Sequence, residues 1–235
     1  MLASGENCHG HGLKIGGTEQ RTEKRDRMRP TNEKLAAAIL EAGKREFLSH
    51  GFQGASMRAI ATAVGATTGA IYRYYADKEA LFDAIVAEPA EMLLERYREQ
   101  HASFQAFPPA EQIKRLGPER EVGAGWMIGF IYDHFDAFKL IACSSAGTRW
   151  EGYPDKLANI EEQATMPFLD ALAACGKRTQ PLDAELVHIV SNMLFTGIFE
   201  TVMHDMPRNK AERYMERLEE FYAAGWERLL NLPIG

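Results

Sequence analysis

SMRAIATAVGATTGAIYRYYADK, residues 56–78, holds two short amphipathic segments on either side of a glycine. Ser56 can cap the first free N–H groups of a helix in which Ile60, Ala61 and Val64 recur at helical spacing, and Gly65 supplies a turn after about two turns of helix. Thr67 is a second capping residue, and Ile71 and Tyr75, four positions apart, give the following helix one face to pack on the first. Two short helices joined at a glycine make a helix-turn-helix. At about 100° per residue, Gly69 and Arg73 point farthest from that packed face, with Thr68 and Tyr72 on one flank and Ala70 and Tyr74 on the other. The outward face is small, hydroxylated, aromatic and cationic. Gly69 lets a backbone approach a surface closely, Arg73 can fork onto a base edge or a phosphate, and the hydroxyls can bond phosphate oxygens. Lys78 follows Asp77, a cap for the next helix, where a phosphate would also meet a helix N-terminus. A single tyrosine here would read as a half-buried aromatic of a helical domain. The cluster reads instead as a DNA-contacting unit.

The run AVGATTGAIYRYYADKEALFDAI, preceded by FLSHGFQGASM, resembles the tetracycline-repressor (TetR) family of bacterial transcriptional regulators. The resemblance covers Lys34 to Ile85 and rests on Phe47, Gly51, the Ile60-Ala61 pair, Gly65, Gly69, the Tyr72-x-Tyr74-aromatic run and Lys78-Glu79. By position it implies base or groove contacts for Arg58, Thr68, Gly69, Tyr72 and Arg73, and phosphate contacts for Ser56, Thr67, Ala70, Tyr74 and Lys78. Met57 and Ala70 stand where the family often has threonine, so hydroxyl contacts are lost there. Tyr75 replaces the more usual phenylalanine and brings a hydroxyl to a core position.

The chain has 235 residues, 46% of them hydrophobic, enough for a DNA-binding head and a larger helical body. Its net charge of −6 is unevenly spread: residues 21–80 hold 11 Lys/Arg against 7 Asp/Glu, and residues 81–235 hold 15 against 24. The basic end can approach phosphate while the acidic remainder discourages indiscriminate adhesion. Cys8, Cys143 and Cys175 are scattered without a CxxC pair, which suits a reducing cytoplasm. The apolar run from Trp126 to Tyr132 is too short to span a bilayer and the first twenty residues lack a signal-peptide core, so no membrane partner is expected.

Taken in order, residues 1–30 are polar and glycine-rich and read as a disordered basic arm whose Arg21, Lys24, Arg25, Arg27 and Arg29 can reach a minor groove. Met28 is a candidate natural start, since the family pattern begins just after it. Cys8, His9 and His11 read as incidental in such a tail, so no metal or cofactor is expected. The head spans 31–76, its first helix capped by Thr31 and ended by Gly51, with Leu35, Ile39, Ala42 and Phe47 facing inward. The body spans 77–235. Asp77 opens a helix carrying Leu81, Phe82 and Ile85, which Pro89 kinks or ends. Pro108, Pro109 and Pro118 predict irregular connections around one small helix, and a buried helix resumes at Glu121, apolar all round at Trp126–Tyr132 and continuing through His134 and Phe138 toward Cys143 and Trp150. An aromatic interior of this kind is usually plain core. In the resembled family the region encloses a small-molecule pocket, which implies Trp126, Phe130, His134, Phe138, Cys143 and Trp150 as ligand-binding residues, with polar groups from His134, Ser144 and Arg149.

Helices over about 183–204 and 209–230 close the chain. Val187, Leu194, Ile198 and Val202, broadened by Ile189, Met193 and Phe199, and then Tyr214, Leu218, Phe221, Gly225 and Leu229, make more apolar face than one neighbour covers. The resemblance implies that these helices pair with those of a second copy, giving a homodimer with two heads on a near-palindromic double-stranded DNA operator. The expected fold is therefore all-α, an N-terminal three-helix helix-turn-helix head with a C-terminal helical ligand-binding and dimerisation domain. The expected function is a repressor released from DNA by an apolar or aromatic small molecule, with a ligand-independent regulator or activator as the alternative. No GxSxG, Walker, HExxH or dinucleotide fingerprint occurs, so no catalytic residues are expected.

Overall fold

A computed structural model describes the backbone of residues 19–177 and 180–232, and side chains from residue 33 onward apart from 116–124, 178–179 and 233–235. Among the described residues there are nine helices and no strand: α1 (Glu19–Gly54), α2 (Met57–Ala63), α3 (Thr68–Ile71), α4 (Lys78–Gln105), α5 (Pro109–Asp133), α6 (Phe135–Ser144), α7 (Tyr153–Ala174), α8 (Ala184–Met203) and α9 (Arg208–Leu230). The starts of four of them follow from single side chains. Ser56, Thr67, Asp77 and Asp183 are extended N-caps whose oxygens accept from the backbone N–H of Ala59 (3.4 Å), Ala70 (3.2 Å), Ala80 (2.7 Å) and Leu186 (2.9 Å). Each such bond satisfies one orphan donor and contributes about 1 kcal/mol. α5 starts differently, with Pro109 in its first turn, where a missing N–H costs nothing.

α1, α2 and α3 form the head. Ile39, Phe47, Ile60 and Ile71 from these helices meet Leu81 and Phe82 of α4, all essentially without exposure. Phe82 stands edge-on to both Phe47 (centroids 5.1 Å apart) and Phe52 (5.6 Å). The buried core continues without a break into the body, where α4, α5, α6, α7 and α8 surround Phe138, Tyr153, Phe195 and Phe199. α1 also packs on α6, and Lys44 Nζ reaches Asp136 (2.8 Å) and Glu41 (3.0 Å); the bond to Asp136 holds that ammonium above its ordinary pKa. A second, smaller core, Phe168, Leu172, Leu230 and Leu232, ties the end of α7 to the end of α9.

Three sequence expectations need correction, and one helix was not expected. The first helix does not begin at Thr31: its backbone is helical from Glu19, through a segment of Glu, Gln, Lys and Arg that has high helix propensity but no apolar period to reveal it. Residues 1–18 of the basic arm, with Cys8, His9 and His11, lie outside the described residues. Helix α5 runs unbroken from Pro109, so Pro118 does not delimit a separate small helix. The buried helix stops at His134, whose φ/ψ of −118°/35° serves as the joint between α5 and α6. α7, finally, carried no expectation at all, because Pro154 and Pro167 punctuate it; Pro154 sits harmlessly in the first turn, and the helix continues through Pro167.

Phe82 fills the junction between head and body. Phe82→Ala should lower the unfolding free energy by about 3–5 kcal/mol, read from urea denaturation, whereas the exposed Leu48→Ala should change it by less than about 0.5 kcal/mol.

Candidate functional site

The helix-turn-helix forms as its caps dictate. α2 ends at Val64, Gly65 turns with φ 65°, and α3 is a single helical turn extended by turn bonds from Tyr74 N to Ile71 O (2.8 Å) and Tyr75 N to Ile71 O (3.1 Å). Ile71 is fully buried; Tyr74 and Tyr75 are half-buried against the same core, and burial pushes the Tyr75 phenol above its ordinary pKa, so it stays neutral. On the other side Arg58, Gly69, Tyr72 and Arg73 are exposed, Tyr72 at 48%, and Thr68 and Ala70 flank them half-buried. A side chain at Gly69 would meet nothing within 4 Å, and Gly69 carries no positive φ. No packing inside the head therefore requires glycine there.

Several proposed phosphate-binding groups have structural work as well. The Ser56 and Thr67 hydroxyls cap α2 and α3, and Ser56 N–H donates to Glu46 Oε1 at 3.0 Å. Lys78 differs most from the expectation. Its Nζ donates to the carbonyls of Gln53 (3.0 Å) and Ala55 (3.2 Å) and lies 4.8 Å from the centre of the Phe52 ring. It thus closes the end of α1, and only its third donor remains for a phosphate.

The expected ligand residues divide differently. Trp126, Phe130, His134 and Phe138 do come together as a chain of rings, with Phe130 4.6 Å from His134, 6.1 Å from Phe138 and 6.2 Å from Trp126. Trp126 is further engaged, donating to Gln100 Oε1 (3.0 Å) with the Arg96 guanidinium 4.0 Å from its ring. Trp150 is buried and donates to Asp83 Oδ1 (2.6 Å), while Arg149 pairs with Asp83 (2.9 Å) and Glu91 (3.0 Å). Ser144 is buried and Cys143 exposed, its thiol pushed up by burial of the sulfur's surroundings and held partly in check by Lys139.

The cavity lies elsewhere. It measures about 210 Å³ and opens between the C-terminal half of α4 and helices α7, α8 and α9, with Met127 of α5 at one wall. Phe104, Phe168, Leu194, Phe195 and Trp226 give it an apolar body, and Tyr97, His101 and Glu161 a polar corner. None of the six expected ligand residues lines it; Trp126 only hydrogen-bonds Gln100, which does. Of the stretch expected to be buried all round, Met127, Ile128 and Ile131 are buried, whereas Trp126, Phe130 and Tyr132 are half-buried and His134 is exposed. The signal that was missed is the spacing Tyr97, His101, Phe104 on one face of α4, polar and aromatic groups at i, i+4 and i+7.

Among the described residues the chain is all-helical, with a helix-turn-helix whose exposed face is carried by α3 and a body whose α4 also walls a cavity, the architecture of a helix-turn-helix protein. Residues 39–85 match the family model for bacterial regulatory proteins, tetR family. The HTH-type transcriptional repressor AcnR of Corynebacterium diphtheriae is 42% identical over 183 residues, 77% of this chain and 88% of that protein. Its namesake from Corynebacterium glutamicum is 40% identical over 67 residues, 28% of this chain and 35% of that one. A TetR-like transcriptional regulator from Rhodococcus sp. RHA1 overlays with a TM-score of 0.48 at 19% identity, over 81% of this chain and 96% of that chain. The chain belongs to the TetR family of bacterial regulatory proteins and is a DNA-binding transcriptional regulator.

Two substitutions separate folding from recognition. Gly69→Ala should raise stability by roughly 0.5–1 kcal/mol, as alanine does in a helix, while weakening DNA binding, because the new methyl occupies the approach surface; denaturation and fluorescence anisotropy measure the two. Arg73→Ala should cost about 1–3 kcal/mol of discrimination between operator and random DNA; equal losses on both would make it a phosphate contact instead.

Proposed function

We propose that this protein is a cytoplasmic, homodimeric repressor that leaves its operator when a small molecule fills the cavity beside α4. The observation that carries this is the double duty of α4. Its first turns hold the head through Lys78, Leu81 and Phe82, and its last turns line the cavity through Tyr97, His101 and Phe104. A ligand that favours one tilt of this helix over another changes the placement of the heads, and only such differential binding shifts the equilibrium. Pro89 is buried in the middle of α4 and has no N–H, so the Ile85 carbonyl lacks an intrahelical partner and the helix is weakest there. The name of the C. diphtheriae relative supports repression as the direction of control.

Dimerisation rests on what α8 and α9 leave uncovered. Val187, Ile198, Phe199 and Val202 are buried within the chain, so the stripe read from the sequence is mostly core, with Leu194 half-buried at the cavity. Of the residues that broadened it, Phe199 is core and the other two are outside: Ile189 is 56% and Met193 59% exposed, and on α9 Tyr214 is 44% and Phe221 68% exposed. By length and composition α8 is apolar enough to cross a membrane, with 39% of that window buried. Here one face of it packs on α7 and α6, and the exposed Ile189 and Met193 of α8, with Tyr214 and Phe221 of α9, offer apolar area suited to a second copy. Two heads so joined would read half-sites about one turn, roughly 34–36 Å, apart or a multiple of it. The exposed free thiols of Cys143 and Cys175 fit a reducing compartment.

Phe221→Glu and Met193→Glu should each give folded monomers by analytical ultracentrifugation, and both should lose operator affinity; a wild-type protein that sediments as a monomer at micromolar concentration would defeat the dimer. Ile198→Glu should instead unfold the chain. For the effector, ligands found by thermal shift should lower operator affinity by a coupling of about 1–3 kcal/mol, or roughly 5- to 150-fold. Stabilising ligands that all leave operator affinity unchanged would favour a regulator that answers to no ligand.

A further inference from the structure

We propose that Asp136 and Gly147 are positioning residues for DNA recognition: through them the two ends of α6 hold the tilt of the reading head against the body, and so select the half-site spacing that a two-headed protein accepts. This rests on the homodimer reading above and adds what sets the angle of its heads. The first observation is that α6 is fastened to α1 at two points. At the start of α6, Asp136 Oδ2 accepts from Lys44 Nζ at 2.8 Å, and Glu41 steadies the same ammonium from within α1 at 3.0 Å. Just past the end of α6, Gly147 comes so close to α1 that a Cβ there would stand 3.0 Å from Gln53 Nε2 and 3.5 Å from Gln53 Cγ. Lys44 and Gln53 are separated by about 13 Å of helix. Contact at one point leaves a rod free to swivel, whereas contact at two points this far apart fixes its angle.

The second observation is the stiffness of the far fastening. Ser145 Oγ donates to the Ile141 carbonyl (2.6 Å), Thr148 Oγ1 to the Ser145 carbonyl (2.7 Å), Trp150 N–H to Thr148 Oγ1 (3.1 Å) and Gly147 N–H to Glu151 Oε2 (2.9 Å). Trp150 Nε1 and Arg149 Nε then tie this loop to Asp83 of α4. A loop so bonded, with Ser145, Thr148 and Trp150 buried, has few alternative shapes. Gly147 has φ 85°, so it is backbone rather than a long side chain that faces Gln53.

The third is the place of Gln53 in the head. Its carbonyl accepts from Lys78 Nζ of α4 at 3.0 Å, and Ser56, three residues on, caps α2. A displacement of Gln53 therefore passes to both α2 and the start of α4. Asp136 and Gly147 themselves lie outside α2 and α3, so changing them leaves the DNA-contacting face intact. Two tilted heads lose affinity for a pair of half-sites at fixed spacing, while each still fits a single half-site.

The test is fluorescence anisotropy on the full chain with three kinds of duplex: an operator selected by the wild-type protein from random sequences, a single half-site, and operators lengthened or shortened by single base pairs between half-sites. Asp136→Lys, which sets like charge against Lys44, and Gly147→Leu, which wedges the loop off α1, should each weaken operator binding at least about fivefold, leave half-site binding within about twofold of wild type or stronger, and move or flatten the spacing preference. Added positive charge alone strengthens binding to any DNA, so a loss on Asp136→Lys runs against the bulk electrostatic effect. Asp136→Asn, whose amide oxygen still accepts from Lys44, should keep the wild-type spacing. Gly152→Leu strains a second positive-φ glycine, at 67°, where a side chain meets nothing within 4 Å, and should change none of the three affinities. Gln53→Ala should recover most of the Gly147→Leu loss by vacating the space. Equal losses on operator and half-site, or a wild-type spacing profile in both Asp136→Lys and Gly147→Leu, would overturn the proposal. If Gly147→Leu does not fold by circular dichroism, Asp136→Lys decides alone. A wild-type protein with no spacing preference overturns the homodimer reading and this inference with it, whereas a preference that the variants do not move overturns this inference only.

Discussion

The contact between Lys78 and the end of α1 is the constraint on which the reading head depends. A helix ends with carbonyls that no following N–H can satisfy, and α1, kinked at Gly51 where φ is 67°, ends at Gly54. Lys78 Nζ takes the carbonyls of Gln53 and Ala55 and covers Phe52, which with Phe47 encloses Phe82. One residue earlier, Asp77 caps α4. Two adjacent side chains thus fix both the end of the first helix and the start of the fourth, and the short α2 and α3 have no freedom left except to lie across the frame so made. A cation in the first turn of α4 opposes the helix dipole by a few tenths of a kcal/mol; hydrogen bonds to a charged donor, at roughly 1.5–3 kcal/mol each, outweigh it.

The body grips the same helix farther along. Asp83 accepts from both Trp150 Nε1 and Arg149 Nε, Arg149 also reaches Glu91, and the buried Tyr153 hydroxyl donates to the Ala90 carbonyl at 2.6 Å. The ion pairs are half-exposed and worth little by themselves. The Tyr153 bond is buried and the Trp150 bond partly so, and burial drives the Tyr153 phenol far above its ordinary pKa, so it remains a donor. Gly147, at φ 85°, brings this same loop against the head: a side chain there would stand 3.0 Å from Gln53 Nε2. The α6–α7 loop therefore touches both α4 and the end of α1, which makes it a second route by which the body sets the position of the head.

What the sequence made legible was whatever depends on near neighbours. Ser56, Thr67, Asp77 and Asp183 are caps in the structure because capping is decided within three residues, and the outward Gly69–Arg73 face follows from one helical period anchored at Ile71. The cavity was not legible, because it is a volume left over when α4, α7, α8 and α9 meet, and its walls come from residues nearly 130 positions apart, Tyr97 and Trp226. Aromatic richness pointed to Trp126–Phe138, where the rings line up against one another, whereas the cavity is lined by other residues. The same limit applies to α8. Its apolar residues wrap most of the helix, and periodicity alone could not say that Ile198 faces inward while Ile189 and Met193 face out.

The separation of cavity from aromatic chain also bears on how a signal could travel. Had the ligand sat among Phe130, His134 and Phe138, it would have pressed on the α5–α6 joint and reached the head through α6 and α1. A ligand in the cavity, as proposed, would bear on α4 beyond the grips at Asp83, Glu91 and Ala90, so the half of α4 nearer the cavity could respond while the half nearer the head is held. Pro89 falls among those grips, between Asp83 and Ala90. A tilt of the distal half must then either bend the helix at Pro89, where one backbone bond is already missing, or break the Tyr153 bond to Ala90 and carry the whole strut with it. Only the second moves the head. On the proposed function, coupling between cavity and DNA would be limited by how firmly Tyr153 and Trp150 hold α4 to the body, a weaker grip favouring movement of the strut as one piece.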